Sequence, residues 1–270
     1  MNAQQMKPAH VPATIVVVGA GGHGRVVLDI LRAADSVRVV GFLDSNSAQH
    51  GRRMDGLPVL GDLSALPTLR DEQGVTGAIV AIGDNGVRRD FAHRIEAMGF
   101  ALVNAIHPSA NIASNASLGR NVVVAAGALV CAHCQVGDSV ILNTGSIVDH
   151  ESMIGTAAHV CPGARLAGRV TVESGAFIGI GSTVIQSIRV GYEAIVGAGA
   201  VVIHDVAPMT TVVGVPARSV QDSPHGEGWA DALLPEILRG RLPSIRRPPR
   251  IAVSSTDAAA ASLDPIVVVR

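Results

Sequence analysis

Between Ile106 and Val202 every sixth residue is isoleucine, leucine or valine, seventeen in all, running through Ile112, Leu118 and Val124 to Val190 and Val196 without a slip. Four places after each aliphatic comes a second, mostly small set, with Ala128, Cys134, Ser146, Ala158, Ala176 and Ala200 among its members. A period of six fits neither the two-residue alternation of a lone strand nor the 3.6-residue helix. It predicts a parallel β-helix whose chain turns a corner every six residues. The aliphatic fills the interior, and the small residue lets the chain bend close to it. Three sides give 18 residues per coil, and at about 4.8 Å per layer the seventeen hexads build a prism roughly 27 Å tall. The two rings in the stretch, Phe177 and Tyr192, fall outside both inward sets.

Before the repeat the pattern is different. Thr14 to Val18 reads as a buried parallel strand. A glycine-rich turn and a helical pattern over Arg25 to Ala34 follow, then a strand over Val37 to Leu43. A short helix near residues 62–73, a strand over Ala78 to Ile82, a helix from Val87 to Met98 and a last strand over 100–105 complete the segment. The β-α-β order implies a small parallel sheet of the doubly wound type. The expected organisation is an α/β Rossmann-like half-domain over residues 1–105 and an all-β parallel β-helix over 106–220. A largely disordered tail over 221–270 completes it, with a possible short helix at 229–239 and a Pro/Arg-rich run from Arg241 to Arg250. Residues 1–12 read as a loose lead-in.

Composition narrows the function. A net charge of −1 gives no reason to expect nucleic acid or an anionic membrane as partner. No apolar run approaches the length of a membrane span, and the start, MNAQQMKPAH, does not read as a signal peptide. Three cysteines suggest a reducing cytoplasm. Cys134 belongs to the inward set and Cys131 does not, so the sulfurs diverge and no metal or redox site is expected there.

Two places carry chemistry. Gly19-x-Gly21-x-x-Gly24, with His23 inside it, lies between a strand and a helix, where the helix N-terminus offers N–H groups to a phosphate. Asp44, at the end of the next strand, can hold a ribose hydroxyl. A nucleoside diphosphate moiety is the ligand this turn suggests. The second place comes from stacking, since residues 18 apart lie in one column. His150 falls between Ala132 and Gly168, which leaves open space beside its ring, and Glu151 falls between His133 and Arg169. His159 falls between Ile141 and Phe177. Neither histidine is an inward position, so both project outward. Carboxylates on both sides of His150, from Asp149 and Glu151, suit a general base.

The Gly-Ala-Gly-Gly-His-Gly turn, Ala-Ile-Gly-Asp-Asn, Leu142 to Glu151, His159 to Ala164 and the closing Gly-Val-Pro-Ala resemble one family over residues 14–220. It is the bacterial hexapeptide-repeat acyltransferases that N-acetylate nucleotide-linked amino sugars, together with the related sialic acid O-acetyltransferases. The resemblance implies a left-handed β-helix, a homotrimer with active sites between subunits, acetyl-CoA as donor, no metal, and a cytoplasmic role in polysaccharide biosynthesis. It implies His150 as the general base, supported by Glu151. Coenzyme A contacts carry over to His159, Gly168, Ile180 and Ala198. The nucleotide-sugar side carries over to Gly21, Gly22, His23, Asp44, Ser45 and Gly83, with Arg88 added. Ser45 stands where relatives can have an acidic residue. The implied reaction is direct acetyl transfer, with Glu151 and Asp149 stabilising the imidazolium and an N–H near Gly168 facing the oxyanion. The alternatives are a sugar O-acetyltransferase, an NAD-dependent oxidoreductase built on Gly19, Gly21, Gly24 and Asp44, and a non-catalytic β-helix binding protein.

Overall fold

The computed structural model describes residues 13–220, all within one compact unit. The expectations for residues 1–12, 221–270 and the segment 229–239 lie outside the described residues.

The chain opens with β1 (Ala13–Val18), α1 (Gly22–Ala34) and β2 (Val37–Leu43), then a two-stranded ribbon of β3 (Arg53–Met54) and β4 (Leu57–Pro58). Next come α2 (Leu66–Gln73), β5 (Gly77–Val80), α3 (Asn85–Ala97) and β6 (Ala101–Leu102). The sheet is parallel with order β2-β1-β5-β6. Alternation sorts its two faces. Val16, Val18, Ala78 and Val80 pack on Leu66, Leu69, Ala92 and Ile95 of α2 and α3. Ile15, Val17 and Ile79 pack on Val27, Ile30 and Leu31 of α1, and the same cluster takes in Ala105, Val123, Ala125 and Ile141 from the repeat.

Seventeen two-residue strands, from Ala105–Ile106 to Val201–Val202, form a β-solenoid of nearly six coils, and each hexad aliphatic is the second residue of its strand. Strands 18 residues apart pair in parallel, giving three faces. Face I contains Val123–Val124, Ile141–Leu142 and His159–Val160; face II contains Ile147–Val148; face III contains Met153–Ile154. Both inward sets make one continuous core, in which Val124, Leu142, Val160, Ala158 and Ala176 are fully buried. The predicted strand over 100–105 is in fact two. Ala101–Leu102 completes the α/β sheet, and Ala105–Ile106 is already the first rung of face I. At the far end Thr211–Val213 and Arg218–Ser219 pair antiparallel and finish face I, which places the Gly-Val-Pro-Ala segment in their connection.

Candidate active site

Helix α1 begins at Gly22, earlier than its apolar pattern suggests, so Gly22, His23 and Gly24 are its first turn. Gly21 precedes it with φ −102° and ψ −167°, and no side chain caps the helix. Its first amides and the positive end of its dipole therefore serve whatever lies before them. The glycines divide by cause. A Cβ on Gly24 would lie 2.0 Å from the carbonyl oxygen of Gly19, and one on Gly19 would lie 2.7 Å from that of Ala81. Strand–helix packing demands these two. A Cβ on Gly21 or Gly22 would meet nothing within 4 Å. These two border a cleft of about 370 Å³, lined also by His23, Asp44, Ser45 and Gly83.

Asp44 shapes that cleft. Its Oδ2 accepts the Ala20 N–H at 2.7 Å and its Oδ1 the Asn46 N–H at 2.8 Å, so the carboxylate ties the glycine turn to the end of β2. His23 is largely buried. Burial first, and the nearby Arg88 cation second, push it down to about 4, so it is neutral near pH 7. Its Nε2 is buried with no partner among the described residues.

His150 stands on the edge between faces II and III. Its side chain is exposed, with open space beside the ring as expected, and the ring lies over Gly168, where a Cβ would come within 2.4 Å of Nε2 and 2.5 Å of Cε1. Glu151, in the left-handed conformation at φ 59°, brings Oε2 to 3.1 Å from His150 Nδ1. Arg169 Nη1 lies 3.7 Å from the same oxygen. Asp149 has another task than the one expected of it, because its Oδ1 accepts the backbone N–H of His150 at 2.7 Å. With Nδ1 turned to the glutamate, Nε2 is the atom left for an outside proton.

His159 points out of the prism, as expected, but it is buried on face I, only 9 % exposed. Phe177 meets its ring edge-on at a centroid distance of 5.2 Å. Burial, then Arg88 and His23, push its pKa down to about 3. Asn143 Oδ1 accepts the Thr144 N–H at 2.8 Å, which turns the amide nitrogen toward His159 Nε2 at 3.2 Å. That pairing makes Nε2 the acceptor and leaves the hydrogen on Nδ1, which is buried without a partner among the described residues.

Arg88 corrects an expectation. It is fully buried and does not line the cleft. Its guanidinium donates to the carbonyls of Ser139, Ile82 and Ala157 and to Asn85 Oδ1, so it holds structure instead of ligand. Helix α1, which carries the glycine turn at its start, packs on face I, whereas His150 is on the II–III edge, so within one chain the two stand on different sides of the prism. Ile180, 60 % exposed, and Ala198 stand on the I–II edge. A larger groove of about 690 Å³ on face III contains none of the candidate residues.

Residues 14–95 match the PglD N-terminal domain family. PerB from Caulobacter crescentus, whose crystal structure contains CoA and GDP-perosamine, is 42 % identical with a TM-score of 0.72, over 77 % of this chain and 97 % of that one. This chain belongs to the hexapeptide-repeat N-acetyltransferases of nucleotide-linked amino sugars. Within that family, the acetyltransferase domain of PglB from Neisseria gonorrhoeae FA1090, solved with acetyl coenzyme A, is 35 % identical with a TM-score of 0.72, covering 77 % of this chain and 99 % of that one. UDP-N-acetylbacillosamine N-acetyltransferase of Bacillus subtilis (strain 168) is 34 % identical over 114 residues, 42 % of this chain and 51 % of that relative, so the match spans about half of it.

Two side chains at the family site escaped the sequence reading. Asn143 is 16 residues before His159, so the 18-residue column count, which puts Ile141 below His159, passes it by. Arg169 sits directly above Glu151, and that stacking was visible without suggesting a contact.

Proposed function

We propose that this protein transfers the acetyl group of acetyl-CoA to the amino group of a nucleotide-linked amino sugar, at a site built from two copies of the chain. The observation that carries this is the separation of the chemistry within one chain. The unpaired Nδ1–H of His159 and the open I–II edge with Ile180 and Ala198 lie apart from the II–III edge with His150 and Glu151. One copy then supplies the base, and its neighbour supplies the thioester-binding groups and the nucleotide cleft. A homotrimer closes such a head-to-tail contact.

The nucleoside diphosphate sits on the first amides of α1, beside Gly21, Gly22, His23, Asp44, Ser45 and Gly83. His150 Nε2 takes a proton from the sugar amine as its nitrogen lone pair attacks the thioester carbonyl. The C–N bond forms, the C–S bond breaks, and the thiolate of coenzyme A leaves and is protonated. Glu151 orients the imidazole and stabilises its cation. The His159 Nδ1–H, or the Gly168 N–H, donates to the oxygen where negative charge develops. The Caulobacter crescentus and Bacillus subtilis relatives are N-acetyltransferases, which favours an amine over a hydroxyl acceptor. Against the NAD reading, the sheet stops at four strands, and α1, which covers one of its faces, packs on the solenoid.

The test is acetyl-CoA consumption with a panel of UDP-, GDP- and dTDP-linked amino sugars, a GDP-linked one first. Mixing H150A and H159N chains probes the shared site. Each variant alone should be nearly inactive, and co-assembled mixtures should recover activity at about one quarter of sites, as random pairing gives. Turnover of none of the sugars, or tight NADH binding, would sink the activity. A mixture as inactive as its parents would sink the two-copy site.

A further inference from the structure

Residues 80–89 run from the end of β5 along one wall of the cleft into α3, and they dock on the III–I edge of the solenoid. That edge carries one left-handed residue per coil, 18 apart: Asn121 (φ 58°), Ser139 (58°), Ala157 (58°), Gly175 (72°) and Glu193 (50°). Every one of the five meets this segment. Asn121 Oδ1 accepts the Val80 N–H at 2.7 Å. The Ser139 carbonyl accepts from Arg88 Nε at 2.7 Å, and the Ala157 carbonyl from Arg88 Nη2 at 2.8 Å. The Gly175 carbonyl accepts from Asn85 Nδ2 at 2.9 Å, and the Glu193 carboxylate lies 3.9 Å from Arg89 Nη1. On its other side Arg88 Nη1 donates to the Ile82 and Gly83 carbonyls at 2.9 and 3.2 Å, in the cleft wall itself.

Apolar packing alone would leave this contact under-determined. Face I presents Ala105, Val123 and Ile141 in one column, so a shift by one rung of about 4.8 Å trades one small or aliphatic contact for another. A buried guanidinium also carries a desolvation cost that a leucine of similar size would avoid. Burial pulls Arg88 down to about 10, with Asp84 nearby pushing back, so the cation persists at neutral pH. Its acceptors are neutral, and its fork reaches two successive coils and the cleft wall at once.

We infer that Arg88, braced by Asn85 Oδ1 at 2.8 Å, is a positioning residue for acetyl transfer: it clamps the cleft-wall segment to the edge at the rung that the Asn121 side chain selects, and together they fix the height of the nucleotide cleft along the prism. The coil it reads at Ala157 is the one that supplies His159 two residues later. This rests on the acetyl-transfer reading above.

The test uses the full chain with R88K and N85A. Positioning predicts that kcat falls about 10- to 100-fold, the size of effect a misplacement of about 1 Å produces. The separate affinities for a nucleoside diphosphate and for acetyl-CoA should stay unchanged by calorimetry. An activity-independent reading comes from spin labels at S47C and Q135C in a C131A background, diluted with unlabelled chain. Their distance distribution should be single in the parent and shifted or broadened in both variants. If R88K does not fold, N85A, whose side chain is half-buried, carries the test. Unchanged kcat and an unchanged distance with a lowered melting temperature would reduce Arg88 and Asn85 to structural ballast and overturn the inference. Loss of nucleotide affinity in N85A would also overturn it, by making these residues part of the ligand pocket. An inactive parent would refute the proposed activity, while the label distances would still decide the register.

Discussion

The most direct perturbation of the proposed base does not touch it. In G168A the new methyl carbon would lie 2.4 Å from His150 Nε2 and 2.5 Å from Cε1, where van der Waals contact requires about 3.4 Å. Something must move by about 1 Å. Gly168 is held by the rung, since its carbonyl accepts the Ser187 N–H at 3.0 Å. His150 is an exposed side chain held through Nδ1 by Glu151, so the ring is what yields. A swing of that size breaks the aim of Nε2 and stretches the 3.1 Å contact to Glu151. Misplacement of a catalytic group by about 1 Å costs about 100-fold in rate. Stability should change by less than about 1 kcal/mol, because the ring swings into solvent and the alanine adopts an ordinary backbone conformation.

The assay is steady-state turnover against both substrates, with the melting temperature and the calorimetric affinity for acetyl-CoA measured on the same sample. The expected result is a kcat down about 100-fold with a nearly native melting temperature and a small change in acetyl-CoA affinity. A kcat within about twofold of the parent would show that the ring over Gly168 is not the working position of the base. A loss confined to acetyl-CoA affinity would assign Gly168 to the coenzyme and remove it from the argument about His150.

Other outcomes follow from the same geometry. H150A should lower turnover by about 10²- to 10⁴-fold and keep the fold, since the side chain is exposed; near-normal kcat would mean another group is the base. G21V, with open space around its Cβ, should keep its stability and its acetyl-CoA affinity but lose nucleotide binding, whereas G24A, 2.0 Å from a backbone oxygen, should lose at least about 3 kcal/mol; equal stabilities would refute the division between the glycines. His23 and His159 have folded pKa values of about 4 and about 3, below the unfolded value of 6.5, so their contribution to stability is full above about pH 6.5 and drains as pH falls toward those values. Each should cost about 2 kcal/mol between pH 7.5 and pH 5 in urea unfolding, and H23N or H159N should flatten that slope; parallel slopes in parent and variants would disprove the burial argument.

How much of this could be read from the residues alone depended on which groups carry the information. The solenoid was legible because its interior makes the same demand every six residues, and side chains answer it. The cleft was legible because close approach at Gly19 and Gly24 requires glycine. The face that meets the sheet left a signal that went unused: the outward positions Ala105, Val123 and Ile141 are apolar, while their counterparts on face III, Ser117 and Gln135, are polar. Arg88 left no such signal. Its acceptors on the solenoid are carbonyls 51 and 69 residues away, and a carbonyl belongs to every residue type. A charged residue on a helix next to a second arginine reads as solvent-facing.

The position of Arg88 bears on how such a site can be built from repeats. A solenoid gives each edge an equivalent place on every coil, so the fold by itself does not say which coil does chemistry. On the II–III edge the His150–Glu151 pair and the glycine above it mark one coil. On face I His159, with the Asn143 amide at its Nε2 and Phe177 above it, marks the next. The remaining freedom is the height at which the nucleotide domain attaches, and apolar contacts on a self-similar face restrict it weakly. The backbone carbonyls that Arg88 reads on the III–I edge recur on every coil, so they hold the segment to the edge without choosing a rung. The choice lies with side chains that occur on one coil of that edge: Asn121, whose Oδ1 accepts the Val80 N–H, and Glu193, beside Arg89. A shift of one rung takes the Asn121 amide away from a buried N–H, and the cost of a buried donor without its acceptor falls on the misregistered arrangement.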